Sequence, residues 1–135
     1  MTIKQLSIFL ENKTGRINDL TKILGKYGIN MHAFSMAETT DFGILRLIVS
    51  DVERAVEVLR NENFAVMLTD VVCISCPNVA GSLSEILDHL AKNDIFIEYM
   101  YAFAEGDKAN VVIHPNDLDK CVAELQKCQC IINKM

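Results

Sequence analysis

Two short polar turns, each with one glycine, carry the residues whose types could do chemistry. The first reads ENKTGRI at residues 11–17 and the second reads CPNVAGSL at residues 76–83. Each turn follows a short apolar run and precedes a run with helical spacing, which predicts a strand-to-helix junction. The first amides of a helix lack internal partners and carry partial positive charge, and glycine lets a ligand approach the backbone closely. Each junction is therefore a candidate carboxylate-binding site.

The two turns belong to a repeat that covers the whole chain. At one constant offset the halves align without a gap, and the matches fall on periodic apolar positions and on turn residues. Such a pattern is typical of a duplicated supersecondary unit. The identical pairs include Ile8/Ile74, Asn12/Asn78, Gly15/Gly81, Leu24/Leu90, Lys26/Lys92, Ile29/Ile95, Asp41/Asp107, Asp51/Asp117, Val56/Val122 and Leu59/Leu125.

Each half predicts the element order βαββαβ. In the first half, residues 4–10 alternate as a half-buried strand and residues 16–27 have helical spacing that Gly28 ends as a left-handed cap. A strand from about residue 30 to 37 and the strand ILRLIVS follow, and a capping box of Ser50 and Glu53 is expected to open the second helix before the strand FAVML.

This order predicts an α+β protein of two ferredoxin-like βαββαβ units, with antiparallel sheets and both helices of each unit on one face. We expect one unit at residues 1–68 and the other at 69–135. A unit of this size has a marginal core by itself, so the two units are expected to support each other.

The residues at the junctions resemble those of the ACT domain. The resemblance rests on NKTGRI followed by YGINM in the first half and on PNVAGSL followed by NDIFI in the second, so it covers essentially the whole chain. It implies that a small effector, usually an amino acid, binds at the interface between paired domains and regulates an enzyme. With no room for a catalytic domain, the chain is expected to be a free-standing, non-catalytic sensor.

The resemblance also implies which residues bind. Thr14 and Ala80 stand where the family often has proline, Asn12 and Asn78 where it often has a side-chain amide, and Asn30 where it has an asparagine. An ammonium group needs acceptors, and the equivalent pair His32 and Glu98 could supply them, whereas Phe96 in the place of Asn30 could not. The two sites are therefore expected to be unequal. The predicted ligand set is Asn12, Thr14, Gly15, Arg16, Ile17, Asn30, Met31, His32, Asn78, Ala80, Gly81, Ser82, Leu83 and Glu98.

The cysteines raise an alternative function. Cys73 and Cys76 form CISC, with Cys121, Cys128 and Cys130 further along, and a metal carrier of this fold class also places a CxxC near its first junction. In a strand, however, the two thiols of CISC point to opposite faces. By the repeat, Cys76 and Cys121 also replace apolar core residues. We therefore predict buried thiols, no metal site and no cofactor.

Catalysis is not expected. Arg16 with Asn12 is similar to the phosphate-holding turn of an acylphosphatase, but the glycine-rich loop is absent and the second half has Ser82 in the place of Arg16. The histidines fall on different predicted elements, and no paired carboxylates mark an acid–base site.

Charge and hydropathy exclude other classes. The chain has 13 basic and 18 acidic residues with no basic cluster, so neither nucleic acid nor a membrane surface is an expected partner. No apolar stretch is long enough for a transmembrane helix, and the N-terminus lacks the features of a signal peptide, which favours the cytoplasm.

Several large apolar residues are expected on the helix-free faces of the sheets. An exposed apolar face usually means a partner, and the sequence predicts a homodimer through these faces or, alternatively, a docking face for a metabolic enzyme. A protein-interaction module without a ligand is the other class of function that the sequence leaves open. The residues expected on these faces are Phe9, Phe34, Met36, Ile48, Phe96, Met100 and Val112.

Overall fold

The computed structural model describes residues 1–38 and 41–128 and the backbone of 133–134. The elements of the first half are β1 Thr2–Glu11, α1 Arg16–Lys26, β2 Met31–Glu38, β3 Phe42–Val49 and α2 Val52–Asn61. Those that follow are β4 Ala65–Pro77, α3 Ser82–Lys92, β5 Ile97–Glu105, β6 Lys108–Pro115, α4 Leu118–Gln126 and β7 Asn133–Lys134.

The chain forms two compact units. One consists of residues 4–69, and the other combines residues 1–3 with those from Asp70 onward. Each unit has the βαββαβ order with antiparallel strands and two helices packed on one sheet face, so the predicted fold class is confirmed. The boundary between residues 68 and 69 stays a prediction.

In the unit of residues 4–69, β1 lies between β3 and the first part of β4, and β2 pairs with β3 on the outside. The buried core joins Leu20 and Leu24 of α1 and Leu59 of α2 to Leu6 of β1 and Leu47 of β3. Burial of each such leucine contributes about 1.5–3 kcal/mol, so this packing fixes both helices on the sheet.

The second unit repeats the arrangement. β6 lies between β4 and β5, and Ile86 and Leu90 of α3 pack on Ile74 of β4. Cys76 and Cys121 are buried in the same core, as the repeat predicted for them.

Left-handed residues and aspartates set the helix ends. Gly28, at φ 68°, follows the end of α1, and this predicted left-handed cap is confirmed. The predicted capping box of Ser50 and Glu53 is wrong. The N-cap of α2 is Asp51, whose carboxylate accepts from the Arg54 amide at 3.2 Å, while Ser50 Oγ accepts from the Asn30 amide at 2.9 Å.

A β-bulge near the start of β2 moves two of the expected helix-free residues to the other face. Met31 pairs with Val49 but Ala33 pairs with Ile48, so the extra residue between them inverts the side chains that follow. Phe34 and Met36 therefore lie on the helix side, opposite core residues of β3. Their placement on the helix-free face was wrong.

The second unit has the same bulge at the equivalent place. Ile97 pairs with Pro115 but Tyr99 pairs with His114, and Met100 then lies opposite the core residue Ile113. The helix-free placement of Met100 was therefore wrong too, since its side chain packs against the core under the helices.

Three of the remaining expected residues do lie on helix-free faces. Phe9 pairs with Ile44 and packs edge-on against Phe42, and Ile48 pairs with Ala33. Val112 is fully buried. Phe96, by contrast, precedes β5 and is 66% exposed.

The caps make a stability prediction. Asp51→Ala removes the acceptor for the Arg54 amide and is expected to lower the free energy of unfolding by about 1 kcal/mol. Asp51→Asn keeps a capping oxygen and should cost less. Urea unfolding followed by circular dichroism measures both, and equal losses for the two variants would contradict the cap.

Candidate functional site

The glycine junctions have a left-handed backbone in both units. Gly15 precedes α1 at φ 86°, and Gly81 precedes α3 at φ 90°. A Cβ added at either glycine would meet nothing within 4 Å, so there is room for a side chain at both positions. Glycine is favoured there by its backbone conformation, because a residue with a side chain costs about 1–2 kcal/mol in the left-handed region. The turn is thus fixed while the space beside it stays open.

Neither junction helix has a side-chain cap, because its N-cap residue is glycine. The Arg16 amide donates to Lys13 O at 3.3 Å, and the Asp19 amide donates to Gly15 O at 2.9 Å. The amides between them, those of Ile17 and Asn18, have no partner among the described residues and are the orphan donors of the first turn. Of the predicted donors near Gly15, the Arg16 amide is thus already engaged within the turn.

The amides of α3 repeat this pattern. The Ser82 amide donates to Val79 O, and the Glu85 amide donates to Gly81 O, both at 3.2 Å. In the part of the chain that the structure describes, the orphan donors of α3 are therefore the amides of Leu83 and Ser84.

A cavity of about 270 Å³ opens beside the first junction, within the unit of residues 4–69. Four of the predicted ligand residues line it, so the structure brings this part of the predicted set together. The sequence did not predict that Met36 and Glu38 of β2 line the cavity, because strand pairing brings them beside the turn. The lining residues are Leu10, Glu11, Asn12, Lys13, Thr14, Arg16, Ile17, Met36 and Glu38.

Some of the charged side chains around this cavity have a partner and others do not. Lys13 Nζ lies 2.9 Å from Glu11 Oε2, and this hydrogen bond and charge hold the pKa of Glu11 below its ordinary value. The guanidinium of Arg16 lies over the ring of Phe64, 3.9 Å from its centroid. Within the described ranges no cation pairs with Glu38. Glu38 is thus the carboxylate of this cavity that could accept a ligand's ammonium group.

The structure does not bring Asn30, Met31 and His32 to this cavity. They lie at the start of β2, whereas Met36 and Glu38 line the cavity near its end, and a strand of this length at about 3.3 Å per residue spans more than 20 Å. The backbone of Asn30 exchanges two hydrogen bonds of 2.9 Å with Ser50. These bonds involve only the backbone of Asn30, and they join the start of β2 to the residue that follows β3.

The second unit keeps the backbone geometry but changes the side chains. Phe96 exchanges with Asn116 the same two bonds that Asn30 makes with Ser50, also at 2.9 Å. Glu98 Oε2 lies 3.5 Å from His114 Nδ1, and the His114 ring stacks on Tyr99 with centroids 4.7 Å apart. This approach is not a hydrogen bond, because the buried His114 Nδ1 has no hydrogen-bond partner among the described residues.

At the second junction, the predicted residues Asn78, Ala80, Gly81 and Ser82 follow the end of β4. The Asn78 amide donates to Asp107 O at 2.8 Å, which holds the turn against the β5–β6 connection. Leu83 packs against the core of its unit. The backbone donors are therefore retained here, although Arg16 has become Ser82.

The cysteine side chains are buried in the part of the chain that the structure describes; Cys130 lies outside that part. Cys76 packs in the core under the helices, whereas Cys73 pairs with Val112 of the opposite sheet face, as the strand geometry predicted. Burial raises the pKa of Cys73 and that of Cys121 to about 11. No group of three metal-ligating side chains occurs among the described residues.

Sequence comparison places this protein in a family. The family model that describes an ACT domain pair matches residues 1–134, so the chain belongs to the ACT domain pair family. This is a family of regulatory domains rather than catalytic ones. A search of curated proteins finds no match.

Solved structures agree with the family. Protein BT0572 from Bacteroides thetaiotaomicron is 51% identical with a TM-score of 0.93, covering 99% of this chain and 93% of that one. The ligand-free regulatory subunit of aspartate kinase from Thermus thermophilus is 11% identical with a TM-score of 0.65, covering 94% of this chain and 96% of that one. The regulatory subunit from Thermus flavus is 15% identical with a TM-score of 0.63, covering 93% and 92%. The likeness to the kinase subunits is one of fold.

The buried thiols make a chemical prediction. A pKa near 11 leaves Cys73 and Cys121 almost wholly protonated at pH 8, so alkylation of the folded protein is expected to be at least about 100-fold slower than in denaturant. Mass spectrometry of the digested protein after timed labelling measures each rate. Fast labelling of Cys73 in the folded chain would contradict the burial and revive the metal-carrier alternative.

Proposed function

We propose that this protein is a non-catalytic regulatory protein that binds a free amino acid at its glycine junctions. One contrast within the chain carries the proposal. Helices α2 and α4 are capped by Asp51 and Asp117, whose carboxylates accept from backbone amides, whereas α1 and α3 begin at glycine without a side-chain cap. The two open helix tips stand at the junctions where the family resemblance puts its effector.

The first junction offers complementary groups to a zwitterion. The orphan amides of Ile17 and Asn18 suit the carboxylate, and the carboxylate of Glu38 suits the ammonium group. Asn12, which also lines the cavity, adds an amide side chain. Three or four charge-assisted bonds at about 1.5–3 kcal/mol each support micromolar affinity, about −8 kcal/mol, after the cost of ordering the ligand.

The first junction is expected to bind more tightly than the second. At the position of Glu38 the second unit has Ala104, and at that of Arg16 it has Ser82. Its remaining acid candidate, Glu98, faces His114. The second junction thus retains backbone donors with fewer side-chain acceptors.

The wider roles of the protein remain proposals of the same kind. The regulated partner is expected to be a metabolic enzyme in the cytoplasm. None of the described helices is long and apolar enough to cross a membrane. The homodimer through the helix-free faces stays a prediction. It has less support than the sequence suggested, because Phe34, Met36 and Met100 lie on the helix side and do not add apolar surface to those faces.

One observation favours a second candidate function, a docking module without a ligand. Phe34 and Met36 are 63% and 51% exposed, which is unusual for large apolar side chains and typical of an interaction surface. Binding of an amino acid and docking of a protein are separable by experiment.

Calorimetry with each of the twenty amino acids tests the sensor. We expect one ligand or a related group to bind in the micromolar range, and Glu38→Gln to weaken it at least about tenfold, because a charged hydrogen bond contributes about 1.5–3 kcal/mol. Gly15→Val is expected to abolish binding, since it strains the turn and fills the space beside it.

Gly106→Val is the matched control. Gly106 is also left-handed, at φ 63°, with nothing within 4 Å of an added Cβ, but it lies at the β5–β6 connection. It should bind like the parent protein. An absence of heat with all twenty amino acids would favour the docking module, and equal losses from Gly15→Val and Gly106→Val would assign the effect to general strain.

A further inference from the structure

The guanidinium of Arg16 is a donor group that an aromatic ring holds in position. It lies over the ring of Phe64, 3.9 Å from the ring centroid, and Phe64 itself is buried. Within residues 1–38 and 41–128, no side chain accepts a hydrogen bond from this guanidinium and no carboxylate forms an ion pair with it. Stacking uses one face of the planar group and leaves the N–H groups at its edges available.

Arg16 borders a neighbouring cavity of about 260 Å³ as well as the first cavity, both within the unit of residues 4–69. The two cavities share three lining residues, so a ligand in the first cavity can extend past Arg16 into the neighbouring one. The shared residues are Leu10, Glu11 and Arg16, and the neighbouring cavity adds Phe9, Phe42, Asn63 and Ala65.

The charges of the neighbouring cavity favour an anion. Its two charged lining residues are Glu11 and Arg16, and Glu11 is already paired with Lys13 at 2.9 Å. The side-chain amide of Asn63 makes no hydrogen bond in the part of the chain that the structure describes, so it adds a neutral donor to the guanidinium. The cavity therefore offers more donors than acceptors.

The rest of the neighbouring cavity is apolar. The rings of Phe9 and Phe42 lie edge to face with centroids 5.6 Å apart, and Leu10 and Ala65 add aliphatic surface. Such a wall suits methylene groups. The combination of a fixed guanidinium and an apolar wall matches a carboxylate at the end of a short aliphatic chain.

We propose that the Arg16 guanidinium binds a side-chain carboxylate of the effector, which makes the effector a dicarboxylic amino acid, aspartate or glutamate. This inference rests on the proposed function, which assigns the α-carboxylate to the amides of Ile17 and Asn18 and the ammonium group to Glu38. The planar fork of arginine matches a carboxylate through two parallel hydrogen bonds. Each charged group of the ligand then has a complementary group of the protein.

Other side chains would satisfy Arg16 less well. A basic side chain would bring a second cation to the guanidinium. The amide of asparagine or glutamine offers one acceptor oxygen, and its NH₂ group would face further donors. An aromatic side chain could pack against Phe9 and Phe42, but it would leave the guanidinium without an acceptor. A carboxylate fills both requirements.

The second unit has lost both parts of this arrangement. Ser82 stands at the position of Arg16, and Cys130 stands at the position of Phe64. Ser75 and Lys108 replace the aromatic pair. The guanidinium and the ring that holds it thus occur together in the first unit and are replaced together in the second, which supports a ligand contact at the first junction.

Calorimetry of the whole protein with matched ligands tests the class of effector. The preferred acid, aspartate or glutamate, is expected to bind at least about tenfold more tightly than its own amide, because a charged hydrogen bond is lost in the amide. Arg16→Gln should remove this preference, and Arg16→Lys should restore only part of it, because lysine keeps the charge without the fork. Tightest binding by an aliphatic or aromatic amino acid would overturn the inference and leave the proposed function intact.

Arg54→Gln is the matched control. Arg54 lies in the same unit and its guanidinium also faces a ring, 5.3 Å from the centroid of Tyr27, but it lines neither cavity. This variant should keep the preference for the acid. Urea unfolding of both variants measures the stability that each stacked arginine contributes, and a preference lost equally in both would rule out a specific role for Arg16.

Glutarate separates the inference from the proposed function. It keeps both carboxylates of glutamate without the ammonium group, so it should bind more weakly than glutamate and still depend on Arg16. Binding of glutarate that Arg16→Gln abolishes, with no binding of any amino acid, would support the carboxylate site and refute the amino-acid function. An absence of binding by glutarate and by all twenty amino acids would refute both.

Discussion

The architecture depends on a glycine in the left-handed region immediately before a helix. At Gly15 and Gly81 this conformation turns the chain from strand to helix, and it leaves the first helix turn without a capping side chain. Compared with glycine, an N-cap serine, threonine or aspartate would add only about a few tenths of a kcal/mol of stability. The chain uses aspartate caps at α2 and α4, so their absence at α1 and α3 is a local feature of the junctions rather than a general property of the protein.

A second constraint comes from the bulges near the starts of β2 and β5. Because side chains alternate along a strand, one extra residue reverses every side chain after it. In β2 this directs Met36 and Glu38 to the helix side, where both reach the first cavity. The methyl carbon of Met36 lies 2.9 Å from the position that a Cβ on Gly43 would occupy, so a side chain at Gly43 would crowd Met36. The cavity wall therefore depends on the bulge between Met31 and Ala33, although Glu38 lies several residues further along the strand.

Much of this could be read from the sequence, because it depends on local periodicity. The repeat predicted the element order, the core positions and the glycine junctions, and it identified Cys76 and Cys121 as core residues. The cap of α2 was assigned one residue early because both Ser50 and Asp51 are good capping residues and only the backbone decides between them. The bulges were missed because the sequence of β2 alternates regularly through the inverted segment.

Glu38 was missed for a different reason. Its place in the lining of the first cavity comes from strand pairing, which brings the end of β2 beside a turn that lies far away in the sequence. No local pattern around Glu38 marks it, since an exposed acid at a strand end is usually a solvated residue. Asn30 was included because the resemblance names it, and His32 because an ammonium group needs acceptors. Neither lines the first cavity, whereas Met31 shares a smaller groove with Ile17.

The two units share the same backbone features at equivalent positions but differ in several side chains, and this comparison separates the residues that the fold requires from those that it does not. The left-handed glycines, the bulges and the aspartate caps recur at equivalent positions of the two units. Arg16, Phe34 and Glu38 have become Ser82, Met100 and Ala104, none of which the fold requires. The second unit folds without this cation, exposed aromatic residue and acid, so the fold does not account for their presence in the first unit, whereas the proposed binding function would.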